Sequence, residues 1–498
     1  MKKKRIDVFN LIILIAGMLF YVFISGTWVS IEDDSAFYMY AVRQQGVMPL
    51  YPSLIHLARL LVNNENYLSF VVIFQSILAA YSTWKLVVYL KSKFQLARIS
   101  EIFLYLFCAL PFSIYLPESG ITHQIMTEGI AYSLFYLFFL EIMKYVYNEK
   151  RYPVGAFIFA FLLGITRSQL VIVYVFLLLV MIYKNYQGKK EMKQKILSFL
   201  KTGVIGIILV LLCLVVQGKV YQYYYTAPSL EAIRQVEKAK EDGVEESEEK
   251  QQINQPKLSF STSVSQVDTL ILVRGFYEVD ESDVELFSDP EMKNIFLRAY
   301  KAVDEAQYRY TYARNDLYMW KDLIKDKIGN VVIGAIRDYY TEQGVDVSID
   351  LKKICNELGY KVLFNHFGRY LYHTVRMFIP GFISSVFFQI EKIYLACHIY
   401  TLCIFLYAFW LLWYSLRKGL KREAELLGVT VLFIVLLVGI TNLVFFGLQR
   451  YMVYLMGIFY CSVYICSLSW IKETNIYKGI INESSKVTWL KKIICSEK

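Results

Sequence analysis

Three carboxylates stand in a row in Ile31-Glu32-Asp33-Asp34-Ser35-Ala36-Phe37-Tyr38, at the end of the first long apolar run of the chain. Ionised carboxylates are costly to bury, and acids do not set the orientation of a membrane helix, which follows Lys and Arg. An acidic cluster at that depth is a functional candidate by default. Other polar residues occupy equivalent turns between apolar runs: Arg43 in the first, Glu118, His123 and Glu128 in the second, and Arg167 in the third. Near the last runs come His366, Arg369, His373 and Arg376, then Gln449-Arg450-Tyr451. Acids and arginines on one membrane face suit transfer from a phosphate-bearing lipid. A carboxylate serves as general base on an acceptor hydroxyl, and arginines hold the leaving phosphate through charge-assisted bonds. Clustered carboxylates also suit a hard divalent cation, Mg or Mn, although the sequence does not require one.

Each residue also has a structural role open to it. Asp33 and Asp34 suit helix caps. Glu128 follows Thr127 at the start of an apolar run, where the helix dipole favours an acid. Arg167 and Arg450 have the length to snorkel to headgroups. His366 and His373 lie seven apart on one helical face, where packing or surface roles are commoner, and their spacing matches no zinc motif.

The elements that must position these groups are membrane spans. The chain is 56% hydrophobic and only 19% charged, and a bilayer crossing needs about 20 apolar residues. Ten spans are predicted, at 8–30, 67–90, 99–116, 127–147, 153–166, 169–184, 196–217, 392–415, 426–446 and 452–471. Lys2-Lys3-Lys4-Arg5 resembles the start of a signal peptide, but the apolar stretch after it is long and has no small-x-small site, so a retained helix is expected. The net charge of +10 does not indicate a nucleic-acid partner, because Lys and Arg fall in alternate short loops. Those loops carry Lys91, Lys93 and Arg98; Lys144, Lys150 and Arg151; Lys184 to Lys195; Arg417 to Arg422; and the tail from Lys472. All lie on one side if both termini are cytoplasmic. The cysteines are mostly inside apolar runs, with Cys355 alone in the hydrophilic segment, so no disulfide framework or zinc pattern is expected.

Three regions result: an N-terminal transmembrane catalytic module at 1–217, with the acidic loop at 31–66; an extracytoplasmic segment at 218–391; and C-terminal spans with a cytoplasmic tail at 392–498. Within the middle segment, 231–257 is rich in Glu, Lys and Gln, which suits a solvated helix or flexible stretch. Met292, Ile295, Phe296, Ala299, Tyr300 and Val303 recur at helical spacing after the start signal Asp289-Pro290. Residues 376–390, with Pro380 and Gly381, suit an interfacial or re-entrant piece rather than a full span.

Asp33-Asp34-Ser35-Ala36-Phe37-Tyr38, then Ala41, Arg43, Gly46 and Pro49-Leu50-Tyr51-Pro52, resembles the first external loop of GT-C glycosyltransferases. These multispanning enzymes include protein O-mannosyltransferases and lipid A aminoarabinose transferases. Met126-Thr127-Glu128 resembles the family's second acidic position, Gly164-Ile165-Thr166-Arg167, with one residue fewer between Gly and Arg, the Gly-x-x-x-Arg between its fifth and sixth spans, and Gln449-Arg450-Tyr451 an Arg-Tyr near its last spans. The resemblance covers 1–185, touches 440–455 and leaves 218–391 unexplained. Asp33-Asp34 stands where Asp-Glu is usual, and an Asp-Ser alignment makes Asp34 the base, so both remain open.

The resemblance implies an all-α polytopic membrane protein of the cell envelope. It would transfer a sugar, with inversion, from a polyprenyl-phosphate donor to a glycan, lipid or protein acceptor outside the cytoplasm. Asp33 or Asp34 would be the base and Glu128 would orient the acceptor or bind a metal. Arg167, Arg376 and Arg450 would hold the donor phosphate, with Glu32, Arg43, His123 and Tyr451 completing the substrate site. Two rivals share the topology. A lipid-linked glycan flippase or other transporter should carry midplane charge or repeated halves, and neither is visible. An O-antigen-type polymerase or ligase has no need of an acidic cluster after the first helix.

Overall fold

The structure is a computed structural model that describes residues 2–24, 29, 31, 35–40, 47–62, 66–114, 124–187, 192–226, 266–312, 327–343, 351–387, 393–444 and 449–474. Glu32, Asp33, Asp34, Arg43, Glu118, His123 and the 231–257 stretch lie outside these residues. The regular secondary structure of the described residues is helical, with no strand among them.

The N-terminal helices are α1 (Lys2–Ile24), α2 (Ser35–Tyr40), α3 (Leu50–Leu61), α4 (Tyr67–Phe94), α5 (Arg98–Ile114) and α6 (Thr127–Val146). They continue with α7 (Val154–Gly164), a 3-10 turn at Ser168–Val171, α8 (Ile172–Gln187) and α9 (Met192–Thr226). A helical unit follows: α10 (Gln266–Glu278), a 3-10 turn at Glu281–Leu286, α11 (Pro290–Glu305), α12 (Ile328–Glu342) and α13 (Leu351–Asn365). The chain then runs through α14 (Phe367–Val386), α15 (Tyr394–Arg417), α16 (Lys421–Val444) and α17 (Gln449–Glu473).

Six stretches are long and apolar enough to cross a membrane: Tyr67–Phe94, Glu128–Val146, Ser168–Tyr186, Leu395–Arg417, Lys421–Leu443 and Tyr454–Glu473. The other four predicted spans fall on α1, α5, α7 and α9, which are helical; α7 has only 11 residues, short of the roughly 20 a straight crossing needs. Hydrogen bonds fix relative directions. Tyr400 meets Tyr460 at 2.8 Å and Tyr407 meets Ser467 at 2.8 Å, so α15 and α17 run parallel. Thr430 meets Ser462 at 3.0 Å and Ser469 donates to Glu423 at 3.0 Å, so α16 runs opposite to α17.

The bundle core forms around α6, the most enclosed of the six stretches. Stacked rings join it to α8, α16 and α17: Phe135 on Phe433 at 4.8 Å, Phe176 on Phe433 at 4.1 Å and Phe135 on Tyr454 at 5.9 Å. Small residues set the closest approaches, as in membrane helix pairs generally. A Cβ at Gly457 of α17 would meet Tyr136 Oη and lie 2.9 Å from Cys108 Cα of α5. At the opposite end from α6's first turn, charges pair. Lys91 of α4 meets Glu101 of α5 at 2.5 Å, Asn10 of α1 donates to the same carboxylate at 3.0 Å, and Glu141 accepts from Lys144 at 2.8 Å and from Lys150.

The helical unit has its own apolar core, which includes Phe276, Phe296, Val332, Cys355 and Leu358. The expected helix over 292–303 is α11: Asp289 caps it by accepting from Glu291 N at 3.1 Å, Pro290 fills the first turn, and Met292, Ile295, Phe296, Ala299 and Val303 are buried. The 376–390 segment is not a separate piece up to Val386. It is the second half of α14, which runs through Pro380 and packs on α16 and α17.

Gly457→Val should destabilise the fold by about 1–3 kcal/mol, the usual cost of overpacking, because the obstructing atoms include α5 backbone as well as the Tyr136 hydroxyl. Gly439→Ala should be neutral, since nothing lies within 4 Å of the place its methyl group would take. Thermal unfolding of the detergent-purified protein measures both, and equal midpoints would remove Gly457 as a packing constraint.

Candidate functional site

Glu128 is the second residue of α6, fully buried, and pairs with Arg167, whose side chain is 11% exposed. Arg167 precedes the 3-10 turn in extended conformation, φ −148° and ψ 133°, which turns its side chain from the α7–α8 corner toward α6. Its Nη1 also lies 3.5 Å from the Tyr454 hydroxyl of α17. Thr127 Oγ1 donates to the other Glu128 oxygen at 3.0 Å. In a low-dielectric bundle an ion pair survives only with such supporting bonds.

A second layer covers this pair. Leu50 N donates to Ile165 O at 3.0 Å, pinning α3 to the same corner. Buried Tyr51 donates to Gln75 Oε1 at 3.3 Å, and Gln75 Nε2 donates to Gln124 O at 2.9 Å. Gln75 also rests on Gly129, where a Cβ would come within 2.7 Å of its amide. Burial, then Tyr38 and Glu128, push the Tyr51 phenol well above its ordinary value, so it remains a neutral donor. Tyr38 of α2 meets the Tyr51 ring edge-on at 5.4 Å, and Ser35, the residue after Asp34, is buried. Arg59 fixes this arrangement by donating to Met39 O at 3.3 Å and Tyr67 Oη at 3.0 Å.

The structure therefore joins Glu128 of the second loop to Arg167 of the third, and sets α2 and α17 beside them. Arg450 and Tyr451 lie in the first turn of α17, one turn before Tyr454, with side chains outside what is described. Tyr51, Gln75, Arg59 and Tyr454 have no role that the sequence alone assigns. Tyr51 sits in the Gly46–Pro52 turn, and the others are single polar residues in apolar surroundings, a weak signal without contacts.

His366, Arg369 and His373 form a different group. His366 Nε2 lies 2.7 Å from Asp283, which also accepts from Asn365 at 2.7 Å and from Asp280 N at 2.8 Å. Arg369 donates to Asp280 at 2.7 Å and to Tyr310 at 2.6 Å, while Arg309 bridges Asp304 at 2.6 Å and Asp280 at 3.3 Å. His373 Nδ1 meets buried Glu278 at 2.5 Å. These side chains tie α14 to the helical unit. Arg376 stands one turn further on, over the Tyr372 ring at 5.7 Å. Burial alone would raise Asp283, but the bonds from His366, Asp280 and Asn365 outweigh it and hold the carboxyl below its ordinary value.

Among the described residues no group of three or more His, Cys, Asp or Glu could hold a metal ion. The Glu128 charge is already met by Arg167. The all-helical fold with six long apolar helices is that of a helical membrane protein. The chain matches no protein family, no curated protein and no solved structure.

Two outcomes follow. Glu128→Gln or Arg167→Met alone should each cost about 3–5 kcal/mol, since each strands a buried charge, and the double variant should recover much of that loss. A thermal double-mutant cycle measures it, and additive losses would show the two charges to be uncoupled. The depressed Asp283 carboxyl stabilises the fold above its unfolded value and loses that contribution as pH falls through the folded one. Protection of the α13 amides, measured against their intrinsic exchange rates, should therefore fall as pH drops below about 5. Asp283→Asn should blunt this response, and an unchanged response would clear Asp283 of it.

Proposed function

We propose that the chain is an integral membrane glycosyltransferase that moves a sugar from a polyprenyl-phosphate donor to an acceptor hydroxyl outside the cytoplasm, with ten spans and both termini inside. The observation that supports this reading is the buried Glu128–Arg167 pair at the end of α6, with Tyr454 beside it and the α2 and α17 starts flanking it. It brings together positions that the GT-C resemblance singled out in distant parts of the sequence. A charge pair at a bundle end, not at the midplane, suits a lipid-headgroup substrate.

In this mechanism Asp33 or Asp34, just ahead of buried Ser35, takes the proton from the acceptor hydroxyl. The acceptor oxygen bonds to the anomeric carbon from the face opposite the phosphate. The carbon–phosphate oxygen bond breaks, and its electron pair leaves on the phosphate. Arg167 and Arg450 stabilise that phosphate, and Arg376 assists at the membrane surface. Glu128 acts as a positioning residue: its carboxylate holds the Arg167 guanidinium in place. No step requires a metal.

Transfer of radiolabelled sugar from a polyprenyl-phosphate donor in membranes tests the reading. Either Asp33→Asn or Asp34→Asn should lower transfer by about 10²-fold or more at equal expression, the usual contribution of a general base. Unchanged transfer in both variants would end the catalytic assignment.

A further inference from the structure

Along the end of α13 and the first four turns of α14, six large apolar side chains lie open at the surface: Phe364 (66%), Phe367 (49%), Leu371 (46%), Tyr372 (61%), Val375 (53%) and Ile379 (48%). Their spacing of three and four residues places them on one face of an amphipathic helix. The opposite face is filled, with His373, Thr374, Met377, Pro380 and Gly381 buried. The row runs unbroken across the α13–α14 junction, where Phe364 and Phe367 stack at 6.4 Å. Contiguous exposed apolar surface of this extent marks an interaction site.

The fold identifies the occupant. The same helix leads directly into the bundle. Tyr370 donates to Leu443 O at the end of α16 at 2.9 Å, and Gly381 abuts Val438 and Asn442 lower on that span. Its last carbonyl, Val386 O, accepts from Tyr460, deep in α17. The open row therefore continues the lipid-facing surface of the spans outward past their ends. The row is also edged as a bilayer interface requires: Tyr372 lies within it and Arg376 sits over that ring at 5.7 Å. Polar ends on the aromatic and cationic residues suit headgroups, while Leu371, Val375 and Ile379 suit acyl chains.

We infer that the α13–α14 face is a lipid-docking surface, which seats the helical unit on the bilayer with its apolar row sunk between headgroups and acyl chains. The inference rests on α14's geometry and is independent of whether the chain transfers sugar. It gives the unit a fixed height and tilt relative to the spans, with the membrane itself as the partner.

Photocrosslinking tests it in the full chain, reconstituted in phosphatidylethanolamine–phosphatidylglycerol vesicles. Benzoylphenylalanine replaces Phe367 or Leu371, with Lys301, 74% exposed on the charged surface of α11, as the control position. Mass spectrometry after irradiation should find phospholipid adducts at Phe367 and Leu371 and none at Lys301. A crosslink to a second copy of the chain at Phe367 or Leu371 would make the row a dimer interface and overturn the inference. Adduct yields equal at all three positions would overturn it as well. Both exposed positions accept a bulky ring without repacking the core, so folding is checked by gel filtration before irradiation.

Discussion

An ionised carboxylate inside a helical bundle must find a partner or give up its charge, and Glu128 finds Arg167. That pairing organises the surrounding structure. Arg167 reaches α6 only because the α7–α8 corner is extended, and the corner is held by Leu50 N on Ile165 O. Beside Glu128, Gly129 leaves room for the Gln75 amide of α4 to rest on α6. Tyr51 completes the cover by hydrogen-bonding Gln75 with its own proton retained. A buried ion pair contributes little net stability, since desolvation offsets most of its attraction.

The second constraint is the joint between the bundle and the helical unit. A helix leaves its last carbonyls without partners inside the helix. At the end of α16 those of Asn442 and Leu443 accept from Arg274 at 2.9 Å and Tyr370 at 2.9 Å. Both donors belong to the helical unit or to α14. Arg274 is buried, and burial pulls its guanidinium down to about 10, still charged at neutral pH. A cation at a helix C-terminus also meets the negative end of the dipole. The end of a span is thus completed by side chains from another part of the fold.

Much of the architecture is legible in the sequence because hydropathy and capping are local. The apolar runs name their helices, and Asp289-Pro290 with its apolar spacing names α11. The 376–390 segment misleads because Pro380 and Gly381 look like breakers. In the fold Gly381 admits Asn442 of α16, and α14 continues through both. His366 and His373 read as packing or surface residues, since their spacing fits no ligand motif. Their partners, Asp283 and Glu278, lie about ninety positions earlier, a pairing no window of sequence displays. For the site, Glu128 and Arg167 are legible one at a time, while the contact between two different loops is not.

The composition of α14 shows how one helix serves two settings. Its inward face starts with Arg369 and His373, with His366 just ahead of the helix, each matched to a carboxylate of the helical unit. From Met377 onward the same face carries Pro380, Gly381, Ile383 and Ser384, small or apolar residues that fit against spans. A charged residue at those later positions would face the apolar surfaces of α16 and α17, and a small one at the earlier positions would take His373 from buried Glu278 and one of three hydrogen-bond partners from Asp283. The change of character near Thr374 therefore marks where the helix passes from the helical unit into the bundle. The exposed face shows no such change, staying apolar from Phe367 to Ile379. A face in contact with water would be expected to turn polar alongside the histidine end, and its failure to do so is what a bilayer on that side demands.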